Sequence, residues 1–132
     1  AAFALKPDAS IVIDTTTASD LEGVPEEKQV CRLGGGSAVS FMDLRTMYDK
    51  NLYDAAFSTV QRLSVPCQPK ASVTGGNNAG AVHQSGTGVR TIALSTPCRY
   101  LHSPAGLIME KDLTNGLILV RELSASMAAG QV

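Results

Sequence analysis

Ser10-Ile11-Val12-Ile13-Asp14 is a β-branched apolar run that closes on a carboxylate. Three such residues with no polar alternation suit a short strand buried on both faces of a parallel sheet, and the spacing predicts one here. The polar stretch Thr15 to Asp20 then reads as a loop. Thr91-Ile92-Ala93-Leu94-Ser95 has the same character and is closed by Pro97, which predicts a further strand. Between them, Val30 to Leu33 and Ala38 to Met42 read as short strands about the permissive turn Gly34 to Gly36. Ala71 to Thr74 reads as another, running into Gly75-Gly76-Asn77-Asn78 and a helix start at Ala79 to His83.

Helical periodicity fills the remaining intervals. From Asp49, a suitable N-cap, apolar residues recur at Leu52, Tyr53, Ala56, Phe57, Val60 and Leu63, and Pro66 follows. Asp112 is a suitable cap for a last helix to Ala128, with Leu113, Leu117, Val120, Leu123 and Met127 on one face. Strands alternating with helices predict an α/β layered domain with a largely parallel sheet.

Composition narrows the function. The 132 residues are 44% hydrophobic, as expected of a chain with a buried core, and suit a single domain. Eleven basic and twelve acidic side chains leave a net charge of −1, so no summed field draws the chain to nucleic acid or to an anionic membrane. The apolar runs are too short to cross a bilayer, and the first residues lack a basic leader with a long apolar core, so a cytoplasmic protein is expected. Three cysteines without a CxxC pair make neither a disulfide framework nor a thiolate zinc site.

Several motifs fail. Gly34 to Val39 lacks the third glycine of a dinucleotide fingerprint, and Gly75 to Gly80 lacks the Lys-Ser/Thr of a phosphate loop. No GxSxG surrounds Ser85, Ser95 or Ser103, and His83 and His102 lie too far apart for HExxH. His83, ending a short helix, reads as an internally hydrogen-bonded group. One positional constellation holds: Asp14, the Gly75 to Asn78 loop and His102 each fall at or just beyond the carboxyl end of a predicted strand, where open α/β sheets bind ligands. A carboxylate and an imidazole suit zinc, cobalt or manganese. The competing readings are a solvated turn aspartate and a structural histidine.

Four segments in order carry a resemblance: Ala2-Phe3-Ala4-Leu5-Lys6-Pro7-Asp8 leading to Ile13-Asp14-Thr15-Thr16; Leu33 to Val39; Gly75 to His83; and Thr96-Pro97-Cys98-Arg99-Tyr100-Leu101-His102-Ser103-Pro104. Together they resemble the C-terminal part of M42 metallo-aminopeptidases, whose fold is a three-layer zinc-peptidase-like α/β domain with a mixed, mainly parallel sheet. The resemblance implies that residues 1–132 are the C-terminal part of the catalytic domain, and that the upstream half and an inserted small domain are absent. It implies a two-metal (Zn, Co or Mn) aminopeptidase acting on peptides, with Asp14 and His102 as ligands to different ions. A first His, a bridging Asp and a Glu-Glu pair that includes the general base are implied upstream, so no catalytic residue is expected in this segment.

Further implications are a large closed homo-oligomer for the complete protein and inactivity for this chain alone. Asn78, in place of the family's frequent Asp, and Arg99, three residues before His102, are expected to contact substrate. Asn78 is also expected to cap the helix that follows it. Gly106 stands where many members carry Glu. The alternative is a non-catalytic fragment or degenerate paralogue that keeps only fold and subunit contacts.

Overall fold

A computed structural model describes residues 1–132. In chain order the elements are α1 (Ala2–Leu5), β1 (Ala9–Thr17), a 3-10 turn (Glu26–Lys28), β2 (Ser37–Val39), α2 (Lys50–Leu63), β3 (Cys67–Pro69), α3 (Ala79–His83), β4 (Arg90–Cys98) and α4 (Glu110–Ala128). The four strands form one sheet in the order β1-β4-β2-β3. β1 and β4 run parallel from Ala9↔Arg90 to Thr17↔Cys98, β2 and β3 are parallel, and β2 meets β4 antiparallel at Ala38↔Ser95 and Val39↔Leu94. The sheet is mixed and mainly parallel, as the alternation of runs predicts. No helix is long and apolar enough to cross a membrane.

The side-chain alternation of β4 separates the layers. Ile92 and Leu94 join Leu52, Ala56 and Val60 of α2 and Leu119 and Leu123 of α4 in the main core. Ala93 faces the other way, against Tyr48, Ala79 at the start of α3, and Val12. Leu52, Leu119 and Leu123 are each at most 1% exposed, so each contributes about 1.5–3 kcal/mol of burial. Asp49 caps α2 as expected, its Oδ1 accepting the N–H of Leu52 at 2.9 Å.

Five expectations are corrected. β1 runs on through Thr15 to Thr17, and it is an edge strand, not one buried on both faces: Ile13 is 60% exposed, because nothing lies beyond β1 in the sheet. Val30 to Leu33 is not a strand. Its N–H groups go to side chains instead of a ladder: Val30 to Ser19 Oγ at 2.7 Å, Arg32 to Gln68 Oε1 at 3.0 Å and Leu33 to Asp20 Oδ2 at 3.0 Å.

The strand expected at Ala71 to Thr74 lies earlier, at Cys67–Pro69, because β2 is only three residues long and its partner register ends at Pro69. Asp112 does not cap α4. It sits in the first turn, fully buried, and accepts from Gly34 N–H at 2.7 Å and Gly36 N–H at 2.9 Å, tying the glycine turn to the helix. Ahead of β1, Ala2 to Leu5 form one helical turn.

Candidate active-site cleft

Side-chain parity places the site. Val12 faces the Tyr48 and Ala79 cluster, so Asp14, two residues further along β1, lies on the same face at the carboxyl end. Its register partner on β4 is Ser95, two beyond Ala93 on that same face. A cavity of about 300 Å³ opens there, and Asp14 to Thr17, Ser40, Asp43, Lys70, Thr74 to Asn77, Ser95, Leu101 and His102 line it. Leu101 is its one hydrophobic lining residue. Such a wall suits a polar or charged ligand.

His102 reaches the cavity from a loop that follows β4. The loop is closed at its base by Arg99 and Leu107, which exchange backbone bonds of 2.9 and 3.0 Å. Tyr100 and His102 have φ of 60° and 66°, the left-handed region that non-glycine residues rarely occupy. Strain of this kind persists only where the surroundings enforce it. At the base of the loop, Arg99 forks its Nε and Nη2 onto the Asp20 carboxylate at 2.8 and 2.9 Å, while Nη2 also reaches the Asp20 carbonyl at 3.0 Å. The Arg99 guanidinium, by donating to Asp20, holds that carboxyl below its ordinary range, with burial opposing and the Leu33 N–H assisting. Arg99 therefore ties the base of the His102 loop to the segment that follows β1. It is absent from the cavity lining, against the expectation that it meets substrate. Gly106 suits the same loop, since a Cβ there would stand 2.9 Å from Cys98 Sγ.

The glycine loop contributes Asn77, not Asn78. Asn78 is exposed, makes no cap bond and does not line the cavity. Asn77 takes the capping role, its Oδ1 accepting from Ala79 N–H at 2.8 Å. The reason is conformational: Asn78 already has helical φ and ψ of −62° and −18°, which carries its side chain past the cap position. His83 bonds internally to the Arg45 carbonyl at 3.3 Å, as its position suggested.

Two charged lining residues, Asp43 and Lys70, were not singled out in the sequence, whereas Asn77 belongs to the Gly75 to Asn78 loop that was. Asp43 is 5% exposed, and its Oδ1 accepts from the N–H groups of Arg45 and Thr46 at 2.8 and 2.9 Å. An Asp followed at two and three residues by free N–H groups is an Asx-turn pattern, and Asp43-Leu44-Arg45-Thr46 carried that signal. Its Oδ2 accepts from the Tyr48 hydroxyl at 2.5 Å. Burial, with that acceptor, pushes the Tyr48 phenol well above its usual range. Lys70 donates to the Thr74 carbonyl. Only the register of β3, whose last residue precedes it, brings it to the cavity.

For a divalent cation the donor set is a partial fit. Asp14 and His102 share the cavity and have the right chemistry, but no cluster of three His, Cys, Asp or Glu side chains able to hold an ion forms around them. A catalytic zinc takes about three protein ligands. Asp43 lines the cavity as well, but both of its oxygens are already engaged.

The fold and cleft define a layered α/β domain with a polar cleft at the carboxyl ends of β1 and β4. The sequence profile of the M42 glutamyl aminopeptidases matches residues 1–119, and the chain belongs to that family. FrvX of Escherichia coli K12 is 32% identical over 128 residues, covering 97% of this chain and 36% of that protein. The structure of aminopeptidase APDkam598 from Desulfurococcus kamchatkensis superposes with a TM-score of 0.87 at 29% identity, over 90% of this chain and 34% of that one. The Pyrococcus horikoshii TET1 peptidase, described as assembling into a tetrahedron or a large octahedral shell, gives a TM-score of 0.68 at 25% identity over 90% and 33% of the two chains. The chain thus spans about a third of the length of these relatives.

Proposed function

We propose that this chain is the part of a two-metal aminopeptidase that supplies one ligand to each ion, Asp14 from β1 and His102 from the loop after β4. The observation that carries the reading is that these two side chains line one polar cavity in a chain whose family is M42. When bound, the ions would polarise the scissile carbonyl and lower the pKa of a water, which is the chemistry peptide hydrolysis needs. This chain's residues do the holding: Asp14 presents a carboxylate whose Oδ1 is fixed by the Thr15 N–H at 2.7 Å, and Arg99 pins the base of the strained loop that carries His102. The base that takes the proton from water belongs to sequence outside residues 1–132, so the isolated chain is inactive.

Zinc, cobalt and manganese all suit this donor pair. The complete protein acts on peptides and forms a closed homo-oligomer, as the TET1 peptidase does. Three free cysteines, with the Cys31 thiol pushed by burial to about 12 and that of Cys67 to about 11, suit a reducing cytoplasm. The second reading, a chain that serves only in fold or subunit contacts, draws on the donor set stopping at two.

The two readings part on His102→Ala in the full-length protein. Loss of a ligand disturbs the shared water, so kcat/KM on a chromogenic aminoacyl substrate should fall at least about a hundredfold, with a loss of bound metal. Unchanged turnover and metal content would refute the ligand assignment.

A further inference from the structure

The cleft contains a donor that the fold does not use. Tyr48 is 3% exposed, and the single proton of its hydroxyl goes to Asp43 Oδ2. Its oxygen is then left only as an acceptor, so the Asn77 atom 3.2 Å away must be the amide nitrogen. Separately, the Ala79 N–H needs an acceptor, which places Asn77 Oδ1 on that side. Both constraints select the same one of two possible carboxamide orientations. One Nδ2 proton and one Oδ1 lone pair remain unused on a half-buried residue that lines the cavity with Asp14 and His102. Lys70, whose ammonium donates to Thr74 beside the same glycine loop, makes this wall rich in donors. That favours an oxygen over an ammonium as the group bound here.

We infer that Asn77 holds a carbonyl or carboxylate oxygen of the bound peptide through its spare N–H, and that Tyr48, anchored by Asp43, is the positioning residue that aims it. The inference rests on the aminopeptidase reading and deepens it by naming a substrate contact. The contact is made before and during the reaction alike, so its loss weakens binding and leaves the chemical step nearly intact.

Asn77→Asp is the sharpest test, because an Asp keeps the shape and still accepts from Ala79 N–H but has no amide proton to donate. In the full-length protein it should raise KM for aminoacyl substrates by about tenfold or more while kcat stays within about threefold, and Tyr48→Phe should shift KM in the same direction by less. Unchanged KM in a folded Asn77→Asp variant overturns the inference, as does a fall confined to kcat. A wild-type protein that turns over no aminoacyl substrate defeats the aminopeptidase reading instead. The side-chain amide then decides the contact: in the ¹⁵N-asparagine-labelled full-length protein titrated with acetate, the two Asn77 N–H signals should shift, and unmoved signals overturn the inference.

Discussion

The helix-packed core and the loops around the sheet are built by different means. In the core, α2 and α4 press Leu52, Ala56, Val60, Leu119 and Leu123 onto Ile92 and Leu94. In the loops, irregular backbone is held by aspartates that accept N–H groups the sheet leaves unpaired. Asp43 holds Arg45 and Thr46, Asp112 at the start of α4 holds Gly34 and Gly36, and Asp20 holds Leu33 while forking with Arg99. The first region is held by area and tolerates conservative change. The second depends on single atoms, and a cleft that must stay open to a polar ligand has no apolar filling to replace them.

The largest effect should come where the two means meet. At Gly36, with φ of +79°, an added Cβ would stand 1.9 Å from the Pro66 carbonyl oxygen, which is backbone and cannot rotate away. Gly36→Ala should therefore cost more than about 4 kcal/mol and yield little folded protein in a thermal melt. A variant that melts within a few degrees of wild type would show that the turn has more room than described.

Next come the core and the loops compared directly. Leu123→Ala should cost about 2–5 kcal/mol through lost burial and a cavity. Asp112→Ala should cost about 2–4 kcal/mol through two unpaired N–H groups. Hydrogen exchange separates them: the first should speed exchange globally, the second first at Gly34 to Gly36. Identical exchange patterns would break the contrast between core and loops.

The division also explains which parts were legible in the sequence. Periodic apolar residues write the helix from Lys50 to Leu63 and the strand around Ile92 plainly, since the same spacing that buries them is visible in one dimension. Asp14 and His102 were visible because each follows a strand-like run. The loops were not, because their order comes from partners far away in the chain: Asp112 lies 76 residues from Gly36, and Asp20 lies 79 from Arg99. Asp112 looked like a helix cap and Asn78 like a loop cap, since capping propensity does not say which neighbour adopts the cap conformation.

The smallest expected effect is electrostatic. Asp20 has a folded-state pKa below its unfolded value, near 3.9, because Arg99 donates to its charged form. The stability this contributes is fully present above about pH 4 and is lost as pH falls through the folded value. Wild type should thus lose melting temperature below about pH 4 more steeply than Arg99→Leu, which has no such shift to lose. Parallel acid limbs in the two proteins would remove Arg99 from its role as the tie at the base of the His102 loop.

The central claim is that this chain holds one ligand for each of two ions and needs sequence beyond itself to act. Metal analysis by mass spectrometry, run beside a chromogenic aminoacyl assay on residues 1–132 and on the full-length protein, tests it most directly. The account predicts about two equivalents of metal with turnover for the full-length protein, and neither for residues 1–132. Two equivalents of metal or clear turnover in the 132-residue chain would contradict it.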